Sequence, residues 1–458
     1  MNLQLFDYQK RVIDKLFSND NHGVIAYHAM GTGKTIIALE ACQLVNSNVL
    51  FVCPASLSNN LKQEAEKFNV CIEHVTIISY EKLVKHIDEY TSSNIELLIL
   101  DEAHRLRNQD TNTVIKLKPL INKSNKVLML SGTIAYNSPL DFGNLARLIK
   151  PDLNFPSKLE EFEDLFVDKS SLKLKNQKLL YNTLSPIIDI YDNERKEDWP
   201  NIQYENIYTE MSDKQYKIYK YLESSLPKRL KMLIHNNVPT SLSETAKLNM
   251  FSSAIRQASD SIVKYDKNAN LDESSKLLTA YQHISCHSLD NYFKVLIYSN
   301  YLEACLYPFE KILKSHGLNP MLYTGEKSLK EKNDIIENYN RNDGYKILLI
   351  SSSGGEGLNL FGTRLIQILE PHFNLAKIEQ VIARGIRYKS HVHLSNEERS
   401  VKIENYFSVF PKRWYHKLFG FKPKTAIDEY LYNCSLRKQR LIDEIKELLK
   451  MKTIVKKL

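Results

Sequence analysis

The chain has 458 residues, 43% hydrophobic and 25% charged, with 62 basic against 54 acidic side chains and a net charge of +8. This describes a folded, soluble protein too long for one core, with two domains plus an insertion as the expected plan. The mild positive charge permits a polyanionic partner without requiring one, and six scattered cysteines with no Cys-x-x-Cys pair argue against a disulfide framework or a metal cluster.

The N-terminus, "MNLQLFDYQKRVIDKLF", carries acids and no cleavable apolar core, so it does not read as a signal peptide. No apolar run approaches the roughly 18 residues of a membrane span. The expectation is an intracellular protein with no membrane partner. Short apolar runs then alternate with segments of helical spacing. They fall at Val24–Tyr27, Val49–Cys53, Val75–Ser79, Leu97–Leu100 and Val127–Leu130. The pattern returns in the last third at Val295–Ser299, Met321–Tyr323, Ile347–Ile350, Leu365–Leu369 and Val401–Tyr406. Such runs predict buried parallel strands, and their repeated alternation with helices predicts two doubly wound α/β domains. Residues 154–289 are rich in Lys, Glu, Leu and Ser and read as a helical insertion and linker. The expected boundaries are therefore 1–153, 154–289 and 290–458. The tail, "AIDEYLYNCSLRKQRLIDEIKELLKMKTIVKKL", reads as an amphipathic helix packed on the second domain.

The stretch "YHAMGTGKT" follows the first strand and opens a helix. It fits G-x-x-x-x-G-K-[ST] except that His28 stands at the first glycine. Main-chain N–H groups of Met30, Gly31, Thr32 and Gly33, with the helix N-terminus, would surround a β-phosphate. Lys34 would reach the β- and γ-phosphates, and the Thr35 hydroxyl would ligate Mg²⁺. "LLILDEAH" ends another strand with two acids. Asp101 would hold the magnesium through water, and Glu102 would orient and deprotonate the attacking water. His104 could relay between this pair and "LSGT", Leu130 to Thr133. Gln9, before an amphipathic helix, has the amide needed to read the N6 and N7 edge of adenine. In the last third, "EQVIARGIRYKSH" puts Gln380, Arg384 and Arg387 at i, i+4 and i+7, one helical face from which arginines can project onto a γ-phosphate. "SSSGGEGLNL" follows a strand, with Gly357 in its tight turn and Asn359 placed to contact ribose.

In this order the motifs resemble superfamily 2 nucleic-acid-dependent ATPases of the Swi/Snf-type branch. "LFDYQ" is similar to the N-terminal Gln motif and "HAMGTGKT" to motif I of that branch, where the first glycine is commonly replaced. "VCPASLSNNLKQE", "LDEAH", "LSGTIAYNSPLDFGNLARLIKP", "KVLIYSN", "SSSGGEGLNL" and "QVIARGIR" resemble motifs Ia, II, III, IV, V and VI. The stretch "ILEPHFNLAKIEQVIARGIRYKSHVHLSNEERSVKI" resembles the transcription-associated ATPases of large cytoplasmic DNA viruses, of the nucleoside triphosphate phosphohydrolase and early transcription factor type. Two departures stand out: Ile134 where proline is usual, and "IIDIYDNERKEDWP" where the branch often carries an arginine pair.

The resemblance implies two RecA-like domains, ATP and Mg²⁺ as ligands, and stepwise movement along a nucleic-acid backbone. Contacts to phosphates, with Ser56, Thr133 and Ser351 as candidates, would be sequence-blind and salt-sensitive. No base-stacking platform or strand-separating pin is evident. The expected activity is therefore translocation on double-stranded DNA by a monomer, in viral transcription or genome handling, with the transcription machinery as a partner and the host cytoplasm or virion as its place. RNA or single-stranded DNA as the track of a strand-separating helicase, and a nucleotide-binding scaffold without hydrolysis, are the alternatives.

Overall fold

A computed structural model describes the chain except residues 1–2, 30, 46, 133–137, 169–170, 172, 193–197, 239, 242–243, 245–247, 249–250, 267, 288–291, 352–357, 413–423 and 456–458. It forms two compact units. The first comprises Met1–Glu194 with Arg437–Leu458, and the second Arg195–Leu436.

The first unit is built on strands β1 (Gly23–His28), β2 (Val49–Cys53), β3 (Val75–Ser79), β4 (Leu97–Asp101), β5 (Lys126–Ser131) and β6 (Ile188–Tyr191). Their order is β3-β2-β4-β5-β1-β6, and every pairing is parallel. β1 and β2 are buried at every position, as expected when helices cover both faces of a parallel sheet. One core layer packs Val12, Ile13 and Leu16 of the helix Asp7–Leu16 and Ile37, Leu39 and Ala41 of the helix Lys34–Leu44 against Val24, Phe51 and Ile99. The order makes β4, β5 and β1 neighbours, so that their carboxyl ends share one edge of the sheet. In open α/β sheets that edge is where ligands bind.

The second unit carries β7 (Asn201–Glu210), β8 (Lys294–Ser299), β9 (Met321–Tyr323), β10 (Lys346–Ser351), β11 (Thr363–Ile368) and β12 (Ser400–Val409). They run in the order β7-β12-β11-β8-β10-β9, again all parallel. Both units are doubly wound, RecA-like α/β folds, and every strand run read from the sequence is a strand.

Two further strands lie in the stretch expected to be a helical insertion. β6 is four residues long and holds the buried Asp189, and β7 is an edge strand exposed along most of its length. Neither has the continuous apolar run of a central parallel strand. Residues 154–289 do include helices, among them Leu159–Phe166, Gln177–Leu184, Asp213–Ser224 and Ser275–Ser285. They do not form a separate body, because the division between units falls within them at Glu194. The tail is a helix, Ile427–Val455, but from Arg437 onward it belongs to the first unit, not the second. There Glu444 accepts the main-chain N–H of Leu174 at 3.0 Å, Lys450 pairs with Asp192 at 2.5 Å, and the Lys446 ammonium lies 5.3 Å from the centre of the Tyr27 ring. Among the described residues no helix is long and apolar enough to cross a membrane.

The second unit encloses an ionic cluster. Lys276, fully buried, donates to Asp260 at 2.6 Å and to Asp428 at 2.7 Å, both also fully buried. Asp428 accepts the main-chain N–H of Ser408 in β12 at 3.0 Å. Nearby Glu370 accepts from the main-chain and side-chain amides of Asn300 at 2.5 and 3.0 Å, and Arg256 and Lys276 offset its charge. Removing one partner from such a cluster strands the others without compensation. Lys276→Ala is expected to cost about 3–5 kcal/mol, read as a lower urea midpoint for the second unit.

Candidate active site

In the first unit the loop after β1 is shaped by two glycines, Gly31 and Gly33, both at φ +77°. Gly33 is the N-cap of the helix Lys34–Leu44, and no side chain caps this N-terminus. A Cβ at Gly33 would meet the Gln9 amide nitrogen at 2.7 Å, so both its backbone angle and its neighbour require glycine. The Ile36 N–H donates to Gly33 O at 2.9 Å, so it is the N–H groups of Lys34 and Thr35 that are left to an anion. The Thr32 hydroxyl donates to Ala29 O at 2.7 Å, and Thr35 takes the second position of the helix. Met30 lies outside the described residues. The Lys34 ammonium turns inward and donates to the carbonyls of His28 (3.0 Å) and Ala29 (3.2 Å). Burial lowers its pKa, and the charges of Glu102 and Asp101 oppose that shift.

Those two acids stand at the end of β4. Burial and then the Glu102 charge push the Asp101 carboxyl up to about 6, against the pull of Lys34 and the main-chain N–H of Glu102. That N–H donates to Asp101 Oδ1 at 2.9 Å, and the Tyr80 hydroxyl donates to Asp101 O at 2.8 Å. Glu102 has φ +51°. Among the described residues the other non-glycine positions with positive φ are four asparagines and Lys389; asparagine tolerates this region, whereas a glutamate there is strained. His104 Nδ1 lies 3.2 Å from Glu102 Oε2 and 3.4 Å from Ser131 Oγ at the end of β5. The bridge read from the sequence is thus built through Ser131, while Thr133 lies outside the described residues.

Gln9 is not presented as the sequence suggested. It is 1% exposed, and both ends of its amide hold protein. Oε1 accepts the N–H of Phe6 at 2.9 Å, and Nε2 donates to Thr32 O at 3.1 Å. The Tyr8 hydroxyl donates to the same carbonyl at 2.9 Å. Helix Asp7–Leu16 is therefore tied to the phosphate loop by two consecutive side chains.

His28 has a structural explanation. It is fully buried, and its Nε2 lies 2.9 Å from Asp189 Oδ1 in β6. Arg11 grips the same carboxylate with two hydrogen bonds, at 2.6 and 2.9 Å, and the Lys15 ammonium is 3.7 Å away. Tyr8 and Tyr191 stack beside the pair with ring centres 3.6 Å apart. Asp189 falls within "IIDIYDNERKEDWP". The histidine at the first position of the loop motif and the stretch that departs from the resembled pattern are thus joined by one contact. Asp189, Arg11, Tyr8 and Tyr191 were missed from the sequence; the histidine at the first position of the loop motif was the one local sign of such a contact.

In the second unit the helix Leu375–Gly385 carries Gln380 and Arg384. Arg387 is not on that helix: Ile386 is extended (φ −126°, ψ 101°), so the shared-face spacing does not reach it. Its guanidinium is instead held by three acceptors. Nε donates to Ala383 O at 3.1 Å, Nη2 to Leu358 O at 2.9 Å, and Nη1 to Asn359 Oδ1. Burial, followed by the Arg384 charge, lowers the Arg387 pKa to about 10. Asn359 and Arg387 are thus brought together. Ser351 ends β10 and is buried, Gly357 lies outside the described residues, and Ser56 sits in the single turn Ala55–Leu57.

The first unit fits Mg·ATP on its own chemistry: an uncapped helix N-terminus, an inward ammonium held by neutral carbonyls, and a buried carboxylate at a strand end. Family models match along the chain, the type III restriction enzyme res subunit over residues 2–74, the SNF2-related domain over 58–264 and the helicase conserved C-terminal domain over 275–389. Across these matches the chain is similar to the Swi/Snf-type branch of superfamily 2. It is a nucleic-acid-dependent ATPase. A candidate ATP-dependent RNA helicase, L538 of Acanthamoeba polyphaga mimivirus, is 28% identical over 97% of this chain and 96% of its own. A termination factor NPH-I homolog of African swine fever virus is 24% identical over 95% of this chain and 76% of its own. Among solved structures, the Sulfolobus solfataricus SWI2/SNF2 ATPase core in complex with dsDNA is 20% identical, covering 98% of this chain and 97% of that one, with a TM-score of 0.39.

The Asp189 contact supplies a test. Despite burial, which pushes its pKa up, hydrogen bonds from His28 and Arg11 and the charge of Lys15 hold the Asp189 carboxyl down, from 3.8 to about 2. A depressed carboxylate contributes stability above its unfolded value and loses it as pH falls through the folded one. Asp189→Asn is expected to cost roughly 2 kcal/mol at pH 7. In urea unfolding, the gap from the parent should narrow as pH falls from 3.8 towards about 2.

Proposed function

We propose that this ATPase translocates along double-stranded DNA, in transcription or genome handling of a large DNA virus. Lys34 and the N–H groups from Gly31 to Thr35 bind the triphosphate. Thr35 and Asp101 hold Mg²⁺, which supplies charge neutralisation at the phosphates. Glu102, oriented by His104, positions the attacking water and takes its proton. Arg384 and Arg387 supply positive charge to the transferring phosphoryl group, and Gln9 positions the phosphate loop. The observation that carries the reading is the convergence of Lys34, Asp101 and the strained Glu102 at one edge of the first sheet. The African swine fever virus relative, named as a termination factor, supports the transcriptional setting. The mimivirus relative, named for RNA, favours a second reading as a strand-separating RNA helicase.

ATP hydrolysis measured with duplex DNA, single strands and RNA at one salt concentration separates the two. Duplex DNA should stimulate most, the stimulation should weaken steeply as salt rises, and the protein should displace a third strand from a triplex. Greatest stimulation by RNA with none by duplex DNA would overturn the first reading. Glu102→Gln should lower kcat by about 10²–10⁴-fold while ATP binding persists, as read by nucleotide titration. Lys34→Ala should lose turnover together with triphosphate affinity.

A further inference from the structure

Three acceptors hold Arg387, and they differ in kind. Two are main-chain carbonyls, Ala383 O and Leu358 O, fixed by the fold. The third is the side chain of Asn359, an exposed residue. The backbone under Asn359 is clamped. Its carbonyl accepts from Asn340 Nδ2 at 2.9 Å, and Asn340 Oδ1 accepts the N–H of Phe361 at 2.9 Å. The Lys294 ammonium, from β8, donates to Asn340 O and to Phe361 O, each at 3.2 Å. The loop Asn359–Phe361 is therefore pinned at three points to β8 and to the end of the helix Leu329–Asn340. Within this arrangement, rotation of the Asn359 side chain is the movement that releases a guanidinium hydrogen bond without disturbing the fold.

We propose that Asn359 is a positioning residue for Arg387, a latch that keeps the guanidinium on its own unit until nucleic acid releases it. This rests on the proposed role of Arg387 at the phosphates. An arginine held by its own unit cannot serve a phosphoryl group, so turnover scales with the released fraction. One hydrogen bond to a charged group corresponds to roughly a tenfold change in that fraction. Without nucleic acid the latch holds and turnover is low. With nucleic acid bound, the arginine is already released and the latch no longer limits the rate.

Two substitutions should act in opposite directions. Asn359→Ala removes the acceptor. At saturating ATP, turnover without nucleic acid should rise about tenfold relative to the rate on a saturating 30-base-pair duplex, so that the stimulation ratio falls. Asn359→Asp puts a carboxylate on the guanidinium. Unstimulated turnover should fall about tenfold or more, and a higher duplex concentration should be needed for half-maximal activation. A merely structural role would lower both rates in both variants. Turnover that moves the same way in the two, or a fall in Asn359→Ala, overturns the proposal. A second measurement does not depend on hydrolysis: phenylglyoxal labelling of Arg387, read by peptide mass spectrometry without nucleic acid. Labelling should be several-fold faster in Asn359→Ala and slower in Asn359→Asp, and equal rates in all three proteins would also overturn the latch. Opposed labelling rates in a protein whose ATP hydrolysis no nucleic acid stimulates would keep the latch and reject the assigned function instead.

Discussion

A positive charge facing neutral oxygens organises the first unit. Lys34 meets the carbonyls of His28 and Ala29, and the carboxylates of Asp101 and Glu102 act on it without replacing them. Such a cation is incompletely compensated, and anionic oxygens are what would complete it. The surrounding geometry serves this arrangement. β1 delivers the loop, the left-handed glycines turn it, and β4 and β5 bring Asp101, Glu102 and Ser131 to the same sheet edge. Strain at Glu102 belongs to the same picture, since a relaxed backbone would aim the carboxylate elsewhere.

The loop also depends on residues that never face a ligand. Gln9 and Tyr8 converge on one carbonyl, that of Thr32, while Asp189 binds His28 and Arg11 together. The helix Asp7–Leu16 is thereby fastened to the loop at one end and to β6 along its side. A glycine in place of His28 would leave Asp189 with less compensation in a nearly dry place.

Much of this was readable from the sequence because it is local. Val49–Cys53 or Ile347–Ile350 announce buried parallel strands through unbroken apolar runs, and Gly31, Gly33, Lys34, Asp101 and Glu102 lie within motifs shorter than ten residues. What escaped depends on distance or on exposure. β6 interrupts its apolar residues with Asp189, whose partners lie more than 150 residues earlier, and β7 is polar because it closes an edge. Arg387 misled for another reason. Helical spacing assumes that the helix continues, whereas this one stops at Gly385, and the contact with Asn359 arises from the irregular backbone beyond it.

The order of the second sheet has a consequence for how the protein is made. β7, near the start of that unit, pairs among the described strands with β12 alone, almost two hundred residues later. Lys276 likewise waits for Asp428. A nascent chain emerging from the ribosome could assemble β8, β9, β10 and β11 early, yet it would carry an unmatched strand and a half-neutralised ammonium through most of its synthesis. Loop closure over such a span is slow, so this unit should acquire protease resistance late and abruptly.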